Sequence, residues 1–319
     1  MPRFPRPQPT PDECERRKRF LQNLSVLNGV TLSNDVDNDT PPTEFQFVAQ
    51  SKLGAGVVRA TEDVMLGCGC QTKYKQRFGC VYLNYCSCIE DSAIDNNGKK
   101  CFPYGASDNN YRCLRPKVLE SRNHIYECNS KCDCTLLCKN RVVQHGRQVR
   151  LQIFKTRNRA WGLRSMDHLQ KGQFIDTYRG EIITSDEADH RGRTRPVDEP
   201  NFLFDFDKFE GTDAYDPSRP YVCDGQYVGS PSRFINHSCA PNCRLFTVSY
   251  NHNDRNIYEL AFFALFDIFK GTELTFDYHD EENPILMTDE MADDHERDKG
   301  YRPTKCLCGS IECRGYFFP

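Results

Sequence analysis

The 319-residue sequence lacks long hydrophobic segments. Its longest uninterrupted apolar run, Leu260 to Phe266, is far shorter than the ~20 residues that a membrane-spanning helix requires. The N-terminal stretch is rich in proline and contains no apolar segment of the kind that a secretory signal peptide carries. We therefore expect neither a membrane protein nor a secreted one.

The sequence also lacks an excess of positive charge. Its 42 lysine and arginine residues are outnumbered by 45 aspartate and glutamate residues, and its pI is about 6.3. Domains that bind duplex DNA are usually strongly basic, so direct sequence-specific DNA binding is not expected. A chain with this charge balance is at least as well suited to a cationic partner.

Cysteine, in contrast, is abundant, with 18 residues in a chain that shows no secretory signal. Such a chain is expected to use its thiols for metal binding in a reducing compartment rather than for disulfides. Half of these residues lie in one block. The block contains Cys68, Cys70, Cys80, Cys86, Cys88, Cys128, Cys132, Cys134 and Cys138.

The spacing within this block favours metal binding. Three pairs of cysteines are separated by a single residue, and on an extended chain such residues lie roughly 6.6 Å apart, near the limit for a disulfide. Nine thiolates cannot fill whole four-cysteine sites, but they satisfy three tetrahedral zinc ions if three sulfurs each bridge two ions. We therefore predict three structural zinc ions, because a closed thiolate shell leaves no position for a substrate.

A second, smaller group of cysteines closes the sequence. Its members are Cys306, Cys308 and Cys313. Three thiolates are one short of a tetrahedral zinc site, so the fourth ligand must come from elsewhere in the fold. Cys239 is the best candidate, and the alternatives are Cys223, Cys243, His279 and His295.

The remaining sequence predicts a β-dominated domain between two less regular ends. Between residues 149 and 206 several short segments are rich in aromatic and β-branched residues, and residues 184–187 form a capping box for one short helix. Residues 1–45 are predicted to form a flexible arm with one short helix, placed between Asp12 and Asn28 by its apolar spacing. Residues 281–303 are acidic and are interpreted as a solvated linker.

The most distinctive stretch is Arg233-Phe234-Ile235-Asn236-His237-Ser238-Cys239. It lies between apolar segments at residues 221–223 and 245–248, so we expect it to be held inside the domain, where polar groups need partners. Its polar side chains are therefore expected to serve a ligand or a metal. A buried turn that is satisfied by its own side chains is the alternative.

This stretch resembles the Arg-Phe-Ile-Asn-His-Ser-Cys signature of SET-domain protein lysine methyltransferases. The nine-cysteine block resembles the pre-SET module of the suppressor-of-variegation type of these enzymes, whose cysteines bind three zinc ions. The resemblance implies a β-dominated SET fold of small curled sheets with a knot-like core, divided into pre-SET (46–146), SET (147–280) and post-SET (304–319) modules. In this family the tail folds over the active site through a zinc ion shared with the cysteine that corresponds to Cys239. Cys101 and Cys113 exceed the nine cysteines of the family and are interpreted as thiols outside the cluster.

The resemblance further implies S-adenosylmethionine as methyl donor and a lysine of histone H3 as acceptor, with lysine-9 favoured by the nine-cysteine module. Two donor-binding positions depart from the family's pattern. Ala160 replaces a glycine, which matters only if that backbone needs a positive φ, and Phe202 replaces a tyrosine, which is expected to cost one hydrogen bond. The full set of matching positions is Arg159, Ala160, Trp161, Gly162, Phe202, Arg233, Asn236 and His237.

Three aromatic residues match positions at the reacting centre of the family. Tyr178 and Tyr278 match two tyrosines that orient the substrate amine, although each taken alone would more often be a packing residue. Phe276 matches a phenylalanine/tyrosine switch at which phenylalanine accompanies di- and trimethylation, so a trimethyl product is expected. Free lysine has a pKa near ~10.4, and burial in an aromatic channel favours the neutral amine that the transfer needs. Asp277 is interpreted as structural rather than as a general base.

Phe204, Asp205 and Asp207 match the place where the family lays the histone tail along a strand by β-augmentation. Asp205 or Asp207 can pair with a basic substrate side chain, and a solvated carboxylate is the alternative. No aromatic-cage reader domain is evident before Cys68. Chromatin targeting in the nucleus is therefore expected to depend on partner proteins.

Three other functions remain open from the sequence alone. The chain can be a methyltransferase for another histone lysine, although the nine-cysteine block favours lysine-9. It can be an inactive zinc-containing chromatin scaffold, against which the presence of both Tyr178 and Tyr278 argues. It can also be a nucleic-acid-binding zinc protein, which the acidic charge balance opposes.

Overall fold

The computed structural model describes residues 8–61, 63, 65–70, 79–80, 86–89, 100–105, 112–121, 123–196, 200–251, 253–280, 286–299 and 303–317. Within these residues the α-helices are α1 Pro11–Leu24, α2 Pro116–Glu120, α3 Ser185–Thr194 and α4 Asp289–Lys299. Short 3-10 helices are formed by Ser87–Ile89, Val143–His145 and Pro231–Phe234. The strands are β1 Val30–Ser33, β2 Gln46–Phe47, β3 Lys52–Leu53, β4 Ile125–Tyr126, β5 Leu151–Lys155, β6 Trp161–Ser165, β7 Phe174–Tyr178, β8 Glu181–Thr184, β9 Leu203–Asp205, β10 Tyr221–Asp224, β11 Val228–Gly229, β12 Asn236–His237, β13 Cys243–Ser249, β14 Glu259–Ala264, β15 Thr275–Phe276, β16 Thr304–Lys305 and β17 Tyr316–Phe317.

The strands form several small sheets rather than one large sheet. One four-stranded sheet has the order β4-β13-β14-β7, a second has the order β3-β8-β10-β9, and a three-stranded sheet has the order β1-β5-β6. Two-stranded pairs join β2 to β11, β12 to β15 and β16 to β17. The β-dominated fold of small sheets that the sequence predicted is confirmed.

The core lies where these sheets face one another. All five residues of β7 are buried, as expected for a strand that is covered on both faces. Phe262 on β14 is fully buried and packs edge-to-face on Phe276, with ring centroids 4.9 Å apart. Edge-to-face aromatic pairs add to the area they bury, so this contact helps to fix β15 against the central sheet.

The N-terminal segment does not form the flexible arm that the sequence predicted. Thr10 and Glu13 make a capping box at the start of α1, and the apolar stripe of this helix buries Phe20 completely. The ring of Phe20 packs against Phe47 at 5.6 Å and against Phe234 at 6.4 Å between centroids. Strand β1 then pairs in parallel with β5. The helix begins within one residue of the predicted start but ends at Leu24, four residues before Asn28, and burial of its apolar face makes the segment part of the domain.

The nine-cysteine block forms its own small core, in which the thiols pack with Ile89 and Phe102. A second apolar cluster, which includes Tyr104 and Val118, joins this region to Phe263 on β14. Cys101 and Cys113 are buried outside the thiol cluster. Residues 91–110 are a polar stretch of the sequence, and only 100–105 of them are among the described residues.

The acidic segment is also more regular than predicted. Residues 289–299 form α4, an 11-residue helix in which Ala292 is buried. The helix is tied to the tail, because the Tyr316 hydroxyl hydrogen-bonds to Asp289 and the Met287 N–H donates to the Arg314 carbonyl at 2.9 Å. The segment is solvated, as interpreted, since most of its described side chains are exposed, but residues 289–299 are helical rather than an irregular linker; residues 281–285 and 300–302 lie outside the described residues.

Among the described residues, every helix is too short or too polar to span a membrane.

Candidate active site and metal centres

The short parallel pair of β12 and β15 brings together two segments that are distant in sequence. Asn236 lies opposite Thr275, His237 lies opposite Phe276, and the Ser238 N–H donates to the Phe276 carbonyl at 3.0 Å. This pairing sets Tyr278 directly beside the motif. The two short strands thus form the centre of the knot-like core.

Four aromatic rings line one channel next to this pair. Tyr178 and Phe204 have ring centroids 4.5 Å apart, Phe204 and Phe276 are stacked at 6.1 Å, and Phe276 and Tyr278 lie 4.7 Å apart. All four rings line a cavity of about 970 Å³. A channel of this composition suits the apolar stem of a long side chain whose tip carries one polar group.

Both tyrosine hydroxyls are fixed by backbone carbonyls. Tyr178 Oη donates to the Phe202 carbonyl at 2.8 Å, and Tyr278 Oη donates to the Ile235 carbonyl at 3.2 Å. A tyrosine oxygen that donates its proton in this way can still accept a hydrogen bond. Gly225 allows this arrangement, because a Cβ atom at that position would lie 2.2 Å from Tyr178 Oη.

Burial keeps both hydroxyls protonated. Desolvation raises the pKa of Tyr178 well above its ordinary value, and it raises the pKa of Tyr278 to about 12. Tyr278 retains 39% exposure because its ring forms an open wall of the cavity. Near neutral pH these groups can orient an amine, but they cannot serve as bases.

The residues that the sequence assigned to the donor fall into two groups. Phe202 and Arg233 lie on the cavity wall, where the guanidinium carbon is 3.9 Å from the centroid of the Phe202 ring. Arg233 Nε also donates to the Gly225 carbonyl at 2.9 Å. This stacked arrangement occupies the position for which the family's pattern has a tyrosine.

The second group is joined through Glu273, which the sequence did not single out. Arg159 Nη2 lies 2.6 Å from one Glu273 oxygen, and the Asn236 amide donates to the other at 2.9 Å. The Asn236 amide also donates to the Trp161 carbonyl at 3.1 Å, and Arg159 Nη1 donates to the His237 carbonyl at 3.1 Å. Glu273 thus joins the turn that precedes β6 to β12.

Ala160 has a φ of 51°, so the backbone at this position does require the left-handed region. It ends the turn between β5 and β6, where its carbonyl accepts from the Thr156 N–H at 2.9 Å. A non-glycine residue in this conformation costs roughly 1–2 kcal/mol relative to its right-handed form. The replacement of glycine by alanine is therefore expected to strain this turn. Gly162 has a different requirement, because a Cβ there would lie 2.9 Å from Glu273 Oε1.

His237 links the motif to the strand that carries Tyr278. Burial lowers the pKa of His237 to about 4, so the ring is neutral at physiological pH. Its Nδ1 accepts from the Tyr278 N–H at 3.2 Å, which leaves the proton on Nε2, 3.4 Å from Cys239 Sγ. One imidazole therefore joins the aromatic channel to the tail thiols.

The tail thiols form one compact group with the motif cysteine. The sulfur atoms of Cys239, Cys306, Cys308 and Cys313 all lie within 4.8 Å of one another. Burial opposes ionisation of Cys308, but hydrogen bonds from the backbone near Cys239 and Ser310 and from the neighbouring thiols lower its pKa to about 7. Four thiolates at this spacing fit one tetrahedral zinc ion.

Arg314 connects this group to the reacting centre, and the sequence offered no signal for its role beyond its place after Cys313. Its N–H donates to Cys239 Sγ at 3.3 Å, and its guanidinium donates to Asp277 Oδ1 at 2.6 Å. Asp277 lies 3.7 Å from His237 Nδ1. These contacts support the structural role that was expected for Asp277.

The nine-cysteine block forms overlapping thiol groups. Cys80, Cys86 and Cys128 each belong to two sets of four thiols within 4.8 Å of one another, and Cys68 belongs to three. Cys132 approaches Cys88 at 3.3 Å between sulfurs, and the Cys80 N–H donates to Cys138 Sγ at 3.4 Å. The sets are Cys68, Cys70, Cys80, Cys86; Cys68, Cys86, Cys88, Cys128; and Cys68, Cys80, Cys128, Cys134. Sharing of sulfurs between sets is what a polynuclear zinc cluster needs.

Strand β9 lies at the edge of its sheet, and its three residues include Phe204 and Asp205. Its inner neighbour is β10, and no strand among the described residues pairs with its other edge, although the Leu203 N–H donates to Asn201 Oδ1 at 3.0 Å and Tyr258 Oη donates to the Asp205 carbonyl at 3.5 Å. Burial and the neighbouring Asp207 carboxylate raise the pKa of Asp205, so this edge carries two neighbouring carboxyl groups. A basic peptide in extended form fits both features.

Comparison with known proteins follows the same division of the chain. A family profile for the SET domain matches residues 160–279, and one for the Pre-SET motif matches residues 24–141. The chain is 39% identical over 301 residues to the Neurospora crassa "Histone-lysine N-methyltransferase, H3 lysine-9 specific dim-5", covering 91% of this chain and 88% of that protein. It is 38% identical over 315 residues to the H3 lysine-9 specific histone-lysine N-methyltransferase of Schizosaccharomyces pombe, covering 95% of this chain and 58% of that protein.

Solved structures agree with this similarity. The Neurospora SET domain protein DIM-5, a histone lysine methyltransferase, superposes with a TM-score of 0.69 at 38% identity, covering 81% of this chain and 98% of that chain. Arabidopsis thaliana SUVH6 in complex with SAM has a TM-score of 0.62 at 27% identity, covering 90% of this chain and 53% of that chain.

Proposed function

This chain belongs to the SET-domain histone-lysine N-methyltransferases, and we propose that it transfers methyl groups from S-adenosylmethionine to lysine-9 of histone H3 as far as the trimethyl state. The observation that carries this proposal is the aromatic channel of Tyr178, Phe204, Phe276 and Tyr278, which opens beside the edge strand β9. The channel suits a lysine side chain, and the strand edge suits the peptide that carries it.

The residues around the channel fit the methyl donor. Arg159 Nε is a buried donor with no partner among the described residues, as expected of a group that awaits a carboxylate or another acceptor. The stacked Arg233 and Phe202 side chains border the same cavity as the channel. When bound, S-adenosylmethionine supplies an electrophilic methyl group on a sulfonium. We assign Arg159, Ala160, Trp161, Gly162, Phe202, Arg233, Asn236 and His237 to its binding.

The chain's own residues prepare the amine. Burial among four aromatic rings disfavours the ammonium form of the substrate lysine, which is the direction that transfer requires. The protons of both tyrosine hydroxyls are engaged by backbone carbonyls, so their oxygens face the amine as acceptors of its N–H groups. Two such contacts leave the amine lone pair to point along the channel. Positioning of this kind accounts for a large part of many enzymatic accelerations.

Substrate choice is assigned to the edge of β9. The cavity next to it is lined by Asp189, Asp205 and Asp207, of which Asp207 pairs with Lys208 at 3.3 Å, and the raised pKa of Asp205 results first from burial and then from the Asp207 charge, which Lys208 partly offsets. A basic residue of the peptide would relieve that repulsion. The charge pattern thus supports a lysine- and arginine-rich histone tail.

The test uses peptides of the histone H3 tail with donor and enzyme, followed by mass spectrometry. We expect trimethylation at lysine-9 and no methylation of a peptide with alanine at that position. Tyr278→Phe is expected to lose about 100-fold or more in kcat, because only the positioning hydroxyl is removed. Methylation of the alanine peptide would assign the enzyme to another lysine, and a complete lack of transfer would favour the scaffold.

Phe276 is assigned as the residue that permits the later transfers. Its ring lies between those of Tyr278 and Phe262, so a hydroxyl added by Phe276→Tyr is expected to occupy the channel. That variant should stop at mono- or dimethyl-lysine while the first transfer remains fast. An unchanged product ratio would contradict this assignment.

We propose that the thiol groups hold four zinc ions, three in the nine-cysteine block and one in the tail. The nine ligands of the first set and Cys239, Cys306, Cys308 and Cys313 of the second set have the soft donor chemistry that zinc prefers. Their role is to hold structure. Elemental analysis of the purified protein should find four zinc ions per chain, and three or fewer would contradict the count.

The substrate places the enzyme in the nucleus, on chromatin, with a role in heterochromatin. We propose that recruitment depends on partner proteins, since the sequence has no excess of basic residues that would favour direct binding to DNA. Binding to bare DNA with a steep dependence on salt would overturn this part of the proposal.

A further inference from the structure

Lys155 lies at the end of β5, directly opposite Trp161 in the antiparallel register of β5 and β6. Its ammonium nitrogen is 5.4 Å from the centroid of the Trp161 ring, within the range of a cation–aromatic attraction. The lysine side chain is 12% exposed, and Trp161 is 8% exposed. Water therefore screens this contact less than it would a surface pair.

Two carboxylates from the N-terminal segment hold the ammonium in place. Asp39 Oδ2 lies 2.5 Å and Asp37 Oδ2 lies 3.5 Å from Lys155 Nζ. The parallel pairing of β1 and β5 ends at Ser33 opposite Phe154, so the loop that follows β1 begins beside Lys155. The lysine is thus clamped by residues about 116 positions away in sequence.

This loop is itself rigidly built. The Asn34 side-chain amide donates to Asp37 Oδ1 at 2.8 Å and to the Asp39 carbonyl at 2.9 Å. The Asn34 side-chain oxygen accepts from the N–H groups of Val36 and Asp37, both at 3.0 Å. The carboxylates therefore reach Lys155 from a fixed frame.

We propose that Lys155, clamped by Asp37 and Asp39, is a positioning residue that fixes the Trp161 ring for the methyl donor. The N-terminal segment thereby becomes part of the donor-binding machinery. This inference rests on the proposed function, and in particular on the assignment of Trp161 to the donor. Trp161 already belongs to the polar network of that region, because its carbonyl accepts from the Asn236 amide.

The two carboxylates of the clamp also offset the charge of Lys155 near the donor. S-adenosylmethionine carries a positive sulfonium, and a lone ammonium held against the same aromatic ring would repel it. One ammonium with two carboxylates has a net charge of one negative unit, so the brace holds the ring without adding net repulsion. S-adenosylhomocysteine has no charge on its sulfur and should be less sensitive to this balance.

The experiment uses Trp161 itself as the probe, since it is the single tryptophan of the chain. Tryptophan fluorescence of the full-length wild type, Lys155→Met, Lys155→Arg and Asp39→Asn proteins is followed during titration with S-adenosylmethionine and with S-adenosylhomocysteine. Lys155→Met is expected to raise the Kd for S-adenosylhomocysteine roughly tenfold and the Kd for S-adenosylmethionine by a smaller factor, because the two remaining carboxylates attract the sulfonium, and to raise KM for the donor while kcat changes by less than about twofold. Lys155→Arg should retain wild-type values, because it keeps both the charge and the stacking. Asp39→Asn should raise the Kd for S-adenosylmethionine by a larger factor than the Kd for S-adenosylhomocysteine.

Arg164→Met provides a matched control. Its guanidinium lies 4.7 Å from the Phe154 ring centroid in the same hairpin, but on the opposite face from Lys155 and Trp161. We expect donor affinity in this variant to equal that of the wild type. If Arg164→Met loses as much donor affinity as Lys155→Met, the loss in both variants is explained by general destabilisation of the hairpin. That result would overturn the inference.

The remaining outcomes separate this inference from the proposed function. Wild-type Kd in the Lys155→Met protein, or an active wild type whose tryptophan does not respond to either ligand, would overturn the clamp and leave the methyltransferase standing. A wild type that neither binds donor nor methylates would overturn the proposed function, and the inference would fall with it. If Lys155→Met does not fold, an unchanged ratio of the two Kd values in Asp39→Asn overturns the inference.

Discussion

The nine-cysteine block and the tail group both consist of cysteine thiols, but they differ in burial and in where their cysteines lie along the chain. The nine cysteines of the block are all buried, and they come from two short stretches, residues 68–88 and 128–138. The tail group takes Cys239 from the central motif and three ligands from the end of the chain, and three of its four cysteines are only half-buried. The first group replaces a hydrophobic core, whereas the second fastens one segment of the fold to another.

This difference predicts different consequences for stability and activity. We expect metal binding in the block to be coupled to the folding of that module, because its apolar cluster consists largely of the thiols themselves. Metal binding in the tail would instead close a loop, since Cys239 and Cys306 are 67 residues apart. Metal binding by the tail thiols should therefore affect the active site more than the stability of the fold.

The largest effect is expected from Cys128→Ser. Cys128 is fully buried and belongs to two of the overlapping thiol sets, so its loss should remove more than one zinc ion and several kcal/mol of folding free energy. The expected result is a protein with a strongly lowered Tm or no soluble product, measured by thermal unfolding and metal analysis. Cys14→Ser, which changes an exposed thiol outside both groups, is the control. A wild-type Tm in the Cys128→Ser protein would contradict the expected difference between the nine-cysteine block and the tail thiols.

Cys308→Ser should separate activity from stability. We expect the variant to keep three zinc ions and a nearly normal Tm, but to lose about 100-fold or more in methyl transfer because the tail no longer closes the site. Metal analysis, thermal unfolding and the peptide assay measure these three properties on one sample. Full activity would show that the tail does not complete the site.

Chelation should distinguish the two groups by rate. The half-buried tail site is expected to release its metal first, and activity should be lost with that first equivalent while the far-ultraviolet circular dichroism is unchanged. Stopped-flow chelation with a colorimetric zinc indicator gives both phases. A single phase that releases all metal together would contradict the distinction.

The smallest effect is expected from Arg314→Leu, which leaves every thiol in place. The Arg314–Asp277 pair is 11% and 13% exposed, and removal of one partner from such a pair leaves an uncompensated charge next to Tyr278. We expect kcat to fall roughly tenfold with little change in donor Kd, and Arg314→Lys to recover part of the loss.

The control for Arg314 is Arg297→Leu, an exposed arginine of α4 that pairs with Asp294. This variant should have wild-type kcat. If Arg314→Leu loses zinc as well as activity, the arginine acts on the metal site and not on the strand that carries Tyr278.

Much of the fold and of the candidate site could be predicted from short-range pattern. The pairs of cysteines one residue apart, the Arg233–Cys239 motif and the strand-rich region between residues 149 and 206 each carry their meaning within a few residues. Helix α1 was located by its apolar spacing for the same reason. Its docking was missed, because an apolar stripe does not say which surface will cover it.

Only the tertiary structure decided what joins these pieces. Glu273 links Arg159 to Asn236, Arg314 links the tail to Asp277, and Gly225 leaves room for the Tyr178 hydroxyl, yet none of the three stands in a pattern that announces such a role. The positive φ of Ala160 likewise comes from the turn that closes between β5 and β6. The sequence by itself indicated most of the candidate metal ligands, the motif and much of the secondary structure, with α4 as an exception, since these depend largely on neighbours along the chain. Contacts between distant segments depend on how the sheets pack against one another. The partners of Glu273, Arg314 and Gly225 could therefore be identified only from the tertiary structure.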